Sequence, residues 1–342
     1  MNMEFHYYMI YYLALSAGYD DEESYVIANS SQLVDHNCTV YTINEGKPDS
    51  YSNYISQTMD ITNPVKKLMR VYLCFHFFPG DIDAPSANRK DGKLHLLNTT
   101  PNSPNVEKML DEALATGNLY RIGIALHAYA DTWCHQNFVG TFDHYNTYND
   151  TIRRMIPGIG HACALTHPDM VSLLWEDDRL VNSQRLINNN QRILEAGFHV
   201  FRKLKAHKSA KTDDGVQKDW EPIKNQLQKI MGGLTIHPHV SEKGAKSRVK
   251  KYKELLKPNN FREYNRNQWF DQAVIRKIRF IKDKATNFGT RVIFPDRYSK
   301  KPDFETSHWY RFQEGIKEHQ AASLKILDSL FQRMELDSLY DF

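Results

Sequence analysis

GIALHAYADTWCHQNFVG, residues 123–140, places His127, Asp131 and His135 at four-residue intervals. In a helix, each step of four turns the chain only slightly. All three side chains then leave one stripe, stacked about 6 Å apart. The run predicts a helix over residues 119–138, after the break at Gly117. Two imidazoles and a carboxylate on one stripe make a metal ligand set. The plainer reading is a row of hydrogen-bonded core histidines, and the two readings separate by what the other helices bring to the stripe.

Outward from that run the chain reads as mostly α. Few stretches alternate with period two over strand length. A first helix is expected over residues 5–17, stopped by Gly18, which favours a left-handed cap. Asp20 with Glu23 three positions on is a capping-box pattern, and starts a second helix that ends near Asp35. Residues 36–63 are turn-rich and predict an irregular lobe or short hairpin. A short helix or extended apolar segment follows to Pro79-Gly80, then a loop over 81–103 and a helix over 105–115. PGIGHACALTHPD (157–169) reads as loop entering helix. Further helices are expected over about 180–205, 217–232, 262–283 and 307–335. KSAKTDDG (208–215) and HPHVSEKGAKSRVKKYKE (237–254) between them read as exposed loops or hinges. The expected organisation is a metal-binding helical core over 1–200 and a basic helical region, 201–342, packing on it. One continuous domain is the alternative.

The composition, 41% hydrophobic and 25% charged, is that of a globular chain and excludes a disordered one. No apolar run reaches the ~18 residues of a membrane helix. MNMEFHYYMIYYLALSAG (1–18) lacks a basic leader region and carries Glu4 and His6, so it reads as a buried helix, and a cytoplasmic location is expected. Cys38, Cys74, Cys134 and Cys163 lack paired metal spacing and read as free thiols in a reducing compartment, with thiolate coordination open at Cys134 and Cys163. Charge is unevenly distributed. Residues 202–301 hold 26 Lys and Arg against 10 Asp and Glu, and the remainder holds 18 against 31. Such a basic segment suits a polyanion, whether nucleic acid, anionic lipid or nucleotide, and equally a solvated lysine face.

Several other residues could join the stripe. His6 sits among apolar neighbours of the first helix. Asp35 ends the second helix, where the helix dipole disfavours a carboxylate and a cation would offset it. His76 lies in CFHFFPG, where an unmatched imidazole costs ~1–3 kcal/mol and needs a partner. His161 follows Gly158 and Gly160, whose small size permits close approach, and Asp169 follows His167-Pro168. Mixed nitrogen and oxygen ligands suit zinc better than magnesium or calcium.

HAYADTWCH, His-x-x-x-Asp-x-x-x-His, resembles the zinc-dependent phospholipase C superfamily, nearest to the branch containing the N-terminal domain of glycosylphosphatidylinositol-specific phospholipase D. That superfamily also includes zinc-dependent single-strand nucleases, and is all-helical with up to three zinc ions in a cleft. The motif order EFHYY, SSQLVDHN, HFFPGD, HAYADTWCHQNFVG, GIGHACALTHPD is similar to that of a group of bacterial proteins and covers residues 1–180. The resemblance implies a multi-helix phospholipase C-like bundle with a metal cleft. It also implies that Asp35, His76, His127 and Asp131 surround one or two zincs, with Asp131 able to bridge. His135 and His161 hold another, and His6 matches the family's early histidine. Secreted members use a processed N-terminal amine as a ligand, and no signal peptide is evident here to expose one. Leu165 stands where a glutamate would complete the pair with His161, and Asp169 can replace it if the loop folds back. Two zinc ions are expected, with a third position open.

The function implied is phosphodiester hydrolysis of a phospholipid headgroup, nucleotide or nucleic acid. Asp35 would be the proton acceptor and Lys or Arg of the basic half would neutralise phosphate charge. Two rivals stand beside it. A histidine–aspartate-domain nucleotide phosphohydrolase requires an adjacent His-Asp pair, and the chain has only Asp35-His36 in reverse order. A zinc-stabilised binding protein without catalysis would need the same ligands.

Overall fold

The fold is built outward from the apolar helix that carries the stripe. In the computed structural model, which describes residues 1–58, 66–148, 155–209, 213–282 and 291–336, most residues are helical. The chain opens with a turn-and-a-half of π-helix, Glu4–Met9, that runs into α1 (Ile10–Ala17), capped by Gly18 in the left-handed conformation. The capping box forms as expected: Asp20 accepts from the Glu23 amide and Glu23 accepts from the Asp20 amide, starting α2 (Asp21–Leu33). A 3₁₀ turn, Val34–His36, then carries Asp35.

α3 (Lys66–Phe75), α4 (Pro104–Ala115) and α5 (Leu119–Cys134) follow. α5 is the central helix, contacting α2, α3, α4, α6 (Asn189–Ser209) and α10 (His308–Arg333). Gly123 makes its approach to α2 possible. A Cβ there would lie 2.3 Å from the Ile27 carbonyl oxygen and 2.7 Å from the Ser30 Cβ. Leu126, Tyr129 and Trp133 of α5 share one apolar core with Phe201 of α6 and with Phe312, Ile316 and Leu327 of α10. No helix among the described residues is long and apolar enough to cross a membrane.

Four stretches differ from the expected pattern. Residues 157–169 run through two 3₁₀ turns, Ala162–Ala164 and His167–Asp169, toward a strand and not into a helix. Residues 180–188 are not helical. They form the connecting loop and second strand of a hairpin, β3 (Leu174–Glu176) with β4 (Leu186–Asn188), and α6 starts only at Asn189. The helix expected over 262–283 is reduced to α9 (Gln268–Ala273), because VIRKIRFIK carries enough β-branched residues to favour a strand. It forms β5 (Val274–Lys282), antiparallel to β6 (Arg291–Lys300). β6 in turn pairs in parallel with β1 (Thr42–Ile43), which forms a hairpin with β2 (Tyr51–Ser52), giving the sheet order β2-β1-β6-β5. The loop expected over 237–254 is α8 (Pro238–Leu256): Pro238 occupies the first helical position, where its missing N–H is not needed. α7 (Asp213–Met231) precedes it; part of KSAKTDDG (210–212), like residues 59–63, lies outside the described residues.

The basic segment is partly answered by the acidic frame. Arg248 forms a buried pair with Glu4 at 2.7 Å, Lys203 meets Asp111, Lys208 meets Glu23, and Arg262 meets Glu22.

Candidate metal centre

α5 supplies His127 and Asp131, and ends one residue before His135, which caps it. A half-turn of helix still keeps the three side chains on one side. The π-helix delivers His6, whose ring stacks on His127 with centroids 3.8 Å apart. The end of α2 delivers Asp35, and the residue after α3 delivers His76. The loop after α5 delivers His161 and Asp169. That loop folds back as the resemblance required: Leu165 takes φ 55° and Gly160 φ 50°, so Asp169 Oδ2 comes 3.1 Å from His161 Nε2. Gly160 cannot be larger, since a Cβ would sit 2.4 Å from the Phe77 ring, and that ring stacks on His135 at 4.5 Å.

All eight expected residues therefore meet. They form three groups whose donor atoms lie within 4.8 Å of one another: His6, His127 and Asp131; Asp35, His76 and His127; His135, His161 and Asp169. Asp131 sits between groups. Its Oδ1 is 3.1 Å from His6 Nε2, and its Oδ2 is 3.3 Å from both His76 Nδ1 and His127 Nε2. A cavity of about 240 Å³ opens onto Asp35, His76, Asp131, His135, His161 and Asp169.

Backbone carbonyls orient the rings. His127 Nδ1 donates to the Ser31 carbonyl at 2.8 Å, His76 Nε2 to Ser56 at 2.9 Å, His135 Nδ1 to His76 at 2.8 Å, and His161 Nδ1 to Leu165 at 2.7 Å. A carbonyl oxygen only accepts, so each of those nitrogens carries the ring proton. In the neutral ring the opposite nitrogen then presents a lone pair. His127 Nε2 and His76 Nδ1 face each other at 3.2 Å, and His135 Nε2 faces Asp169 Oδ1 at 3.1 Å. Acceptors turned on acceptors in a buried site repel unless positive charge lies among them. Outer carbonyls that fix the tautomer are the usual support of histidine ligands.

The electrostatics show the same demand. Burial opposes ionisation of Asp131 and Asp169, yet the surrounding histidines and the Met1 amine hold both well below the usual carboxylate range. Burial also disfavours charge on His127, but Asp131 and Asp35 outweigh it and raise its pKa. His6, buried and beside His127, falls to about 3. The Met1 α-amino group pairs with Asp131 and lies 3.2 Å from Asp169 Oδ1. Burial works against its charge, but Asp131 and Asp169 keep its pKa up at about 12.

Cys134 and Cys163 stay outside the set. Burial pushes the Cys134 thiol up to about 12, and Cys163 donates to the Ile156 carbonyl at 3.4 Å. His36 turns away to the Tyr264 hydroxyl at 2.8 Å. Sequence reasoning assigned no role to Gln32, whose amide holds Asp35 Oδ2 at 3.2 Å, nor to the carbonyls of Ser31 and Ser56. A carbonyl is common to every residue and leaves no mark in sequence. A larger cavity of about 660 Å³ lies between α6 and α7, walled by Phe198 and Trp220, and touches none of these residues.

Residues 1–327 match the model of a family described as "Family of unknown function (DUF6765)". No curated protein and no solved structure matches the chain. Because the match spans nearly the whole sequence, the chain belongs to this family of unknown function, DUF6765.

Proposed function

We propose that the protein is a zinc-dependent phosphodiester hydrolase built on a phospholipase C-like helical bundle. The observation that supports this best is the carbonyl-fixed tautomers of His76, His127, His135 and His161, which aim unprotonated nitrogens at Asp35, Asp131 and Asp169. Among facing acceptors, a divalent cation supplies the positive charge that holds them together. Imidazole nitrogen and carboxylate oxygen with no thiolate is a zinc-type donor set.

His135, His161 and Asp169 would hold one ion, and His6, Asp35, His76 and His127 a second, with Asp131 shared between them. A bound zinc ion supplies a water that ionises near neutral pH and a clamp for phosphoryl oxygens. Asp35 is the natural proton acceptor. Its side chain is 24% exposed, the most open carboxylate of the set, and Gln32 holds one oxygen while the other faces the histidines. Burial would raise its pKa, but His127, His6 and His76 lower it, which keeps the carboxylate ionised.

The test is hydrolysis of bis(p-nitrophenyl) phosphate by zinc-loaded protein, with chelator and with His127→Ala as controls. Chelator-sensitive turnover lost in the variant is expected. Bound zinc without turnover of this or any natural diester leaves only the zinc-stabilised binding protein.

A further inference from the structure

The loop between α7 and α8 carries aliphatic side chains that the fold leaves in water. In GGLTIHPHV (232–240), Leu234 is 45% exposed, Ile236 67% and Val240 46%. Single exposed aliphatics are ordinary, but three within seven residues mark a contact surface. We propose that this corner docks the protein on an anionic lipid surface, with Leu234 and Ile236 entering the acyl boundary and the lysines of α7 and α8 meeting the headgroups. The inference is independent of the hydrolase reading above.

The loop is pinned, so the exposure is built in. Thr235 bridges to Leu173 in parallel: its amide donates to the Ser172 carbonyl at 2.8 Å, and its carbonyl accepts from the Leu174 amide at 2.9 Å. On an extended backbone the residues flanking Thr235 leave on the face turned away from it, which puts Leu234 and Ile236 outward. Both ends are tied to the same segment. Ser172 Oγ donates to the Met231 carbonyl at 2.7 Å, and Ser241 Oγ donates to the Val171 carbonyl at 2.6 Å. Folding these side chains back would break those bonds. The segment that holds the loop begins just beyond Asp169 of the metal centre.

Charge chooses the occupant. Residues 224–251 hold seven Lys and Arg against one acid, Glu242. Arg248 turns inward to Glu4, and the others are lysines, of which Lys229, Lys243 and Lys246 are exposed and make no ion pair among the described residues. On α8, Lys243, Lys246 and Lys250 recur at helical spacing on the face opposite buried Ser241, Arg248 and Tyr252. Two copies of such a corner would repel each other. A nucleic acid would use the lysines and leave the aliphatics in water. A bilayer with anionic headgroups matches both, taking the apolar side chains below the headgroups and the lysines among the phosphates.

The experiment is co-sedimentation of the full chain with vesicles of phosphatidylcholine alone and of phosphatidylcholine mixed with phosphatidylglycerol, at low and at high salt. Expected is binding to the mixed vesicles only, weakened by salt as attraction between exposed charges is. Leu234→Ser combined with Ile236→Ser should lower partitioning roughly 10- to 100-fold, through the aliphatic surface no longer taken out of water. Lys243→Gln combined with Lys246→Gln and Lys250→Gln should lower it about 100-fold. All five positions are exposed, so an unchanged melting temperature is the control for folding. Ile236→Trp should add a blue-shifted emission on the mixed vesicles alone. Absence of binding to the mixed vesicles, or binding that survives the Leu234 and Ile236 changes, overturns the proposal. Vesicle binding absent while single-stranded DNA binds through the lysines reassigns the corner to nucleic acid, and a dimer that the two aliphatic changes dissolve reassigns it to a second copy of the chain.

Discussion

Removing zinc should lower the melting temperature by a predictable amount. The centre sets three carboxylates, Asp35, Asp131 and Asp169, against one ammonium, that of Met1, so two negative charges lack compensation when the imidazoles are neutral. Metal ions held there would bind the folded chain and not the unfolded one. At free zinc 1,000 times its dissociation constant, one ion adds about 4 kcal/mol. Unfolding entropy of about 2.1 cal/mol/K per residue, over 342 residues, amounts to about 0.7 kcal/mol/K. One ion is therefore worth about 6 °C and two about 11 °C. Scanning calorimetry of zinc-loaded and chelator-treated protein reads this directly, with metal content measured on the same samples. His161→Ala, which alters only one of the three ligand groups and a partly exposed ring, should remove about half the increment. Melting curves that coincide within a degree, with and without chelator, would show that the histidines are packed against protein alone.

Other expectations follow from single sites. Gly123→Ala should destabilise by more than about 2 kcal/mol, because the clash with Ile27 and Ser30 exceeds the ~1 kcal/mol that alanine gains in a helix; a more stable variant would mean that α2 and α5 can separate. Arg248→Met, which strands the buried Glu4 carboxylate, should cost about 3–5 kcal/mol in denaturant unfolding, and adding Glu4→Leu should recover most of it. Absence of that rescue would point to packing and not charge. His319, buried and donating to the Cys74 carbonyl at 3.0 Å, has its pKa lowered by burial from 6.5 to about 4. The unfolded chain therefore binds the extra proton, so this stability is fully present above pH 6.5 and lost as pH falls toward 4, a total of roughly 3 kcal/mol. His319→Gln should flatten stability over that window, and an unchanged slope would refute the assignment. Leu165→Gly should relieve about 1 kcal/mol of left-handed strain and keep the carbonyl that holds His161; loss of zinc affinity instead would show that the leucine side chain positions the loop.

The His/Asp cluster was legible because helical periodicity and chemistry coincide in one short run. His127, Asp131 and His135 stand at fixed spacing on a helix, and Asp35, His6 and His76 each sit where their neighbours make an isolated polar group costly. Capping signals were equally readable at Asp20 and Glu23. The C-terminal half was harder for a physical reason. VIRKIRFIK reads as helix or strand until its partner is known, and β5 exists because β6 pairs with it across residues distant in sequence. α8 looked like a loop because charge-rich, proline-led segments share their composition with exposed linkers. Asp169 became a partner of His161 only through backbone angles at Leu165, which residue type does not announce. Gln313 gave no signal in sequence, since its orientation is inherited from Tyr54 through Asn37.

Ser56 serves two masters. Its carbonyl sets the His76 ring, while its hydroxyl, donating to the Val34 carbonyl, accepts from Asn37. The His76 ring and the Asn37 amide are thus tied to one short loop. A drift of that loop in a descendant protein would move both together, so relatives that change around Asn37 should also carry compensating changes around His76.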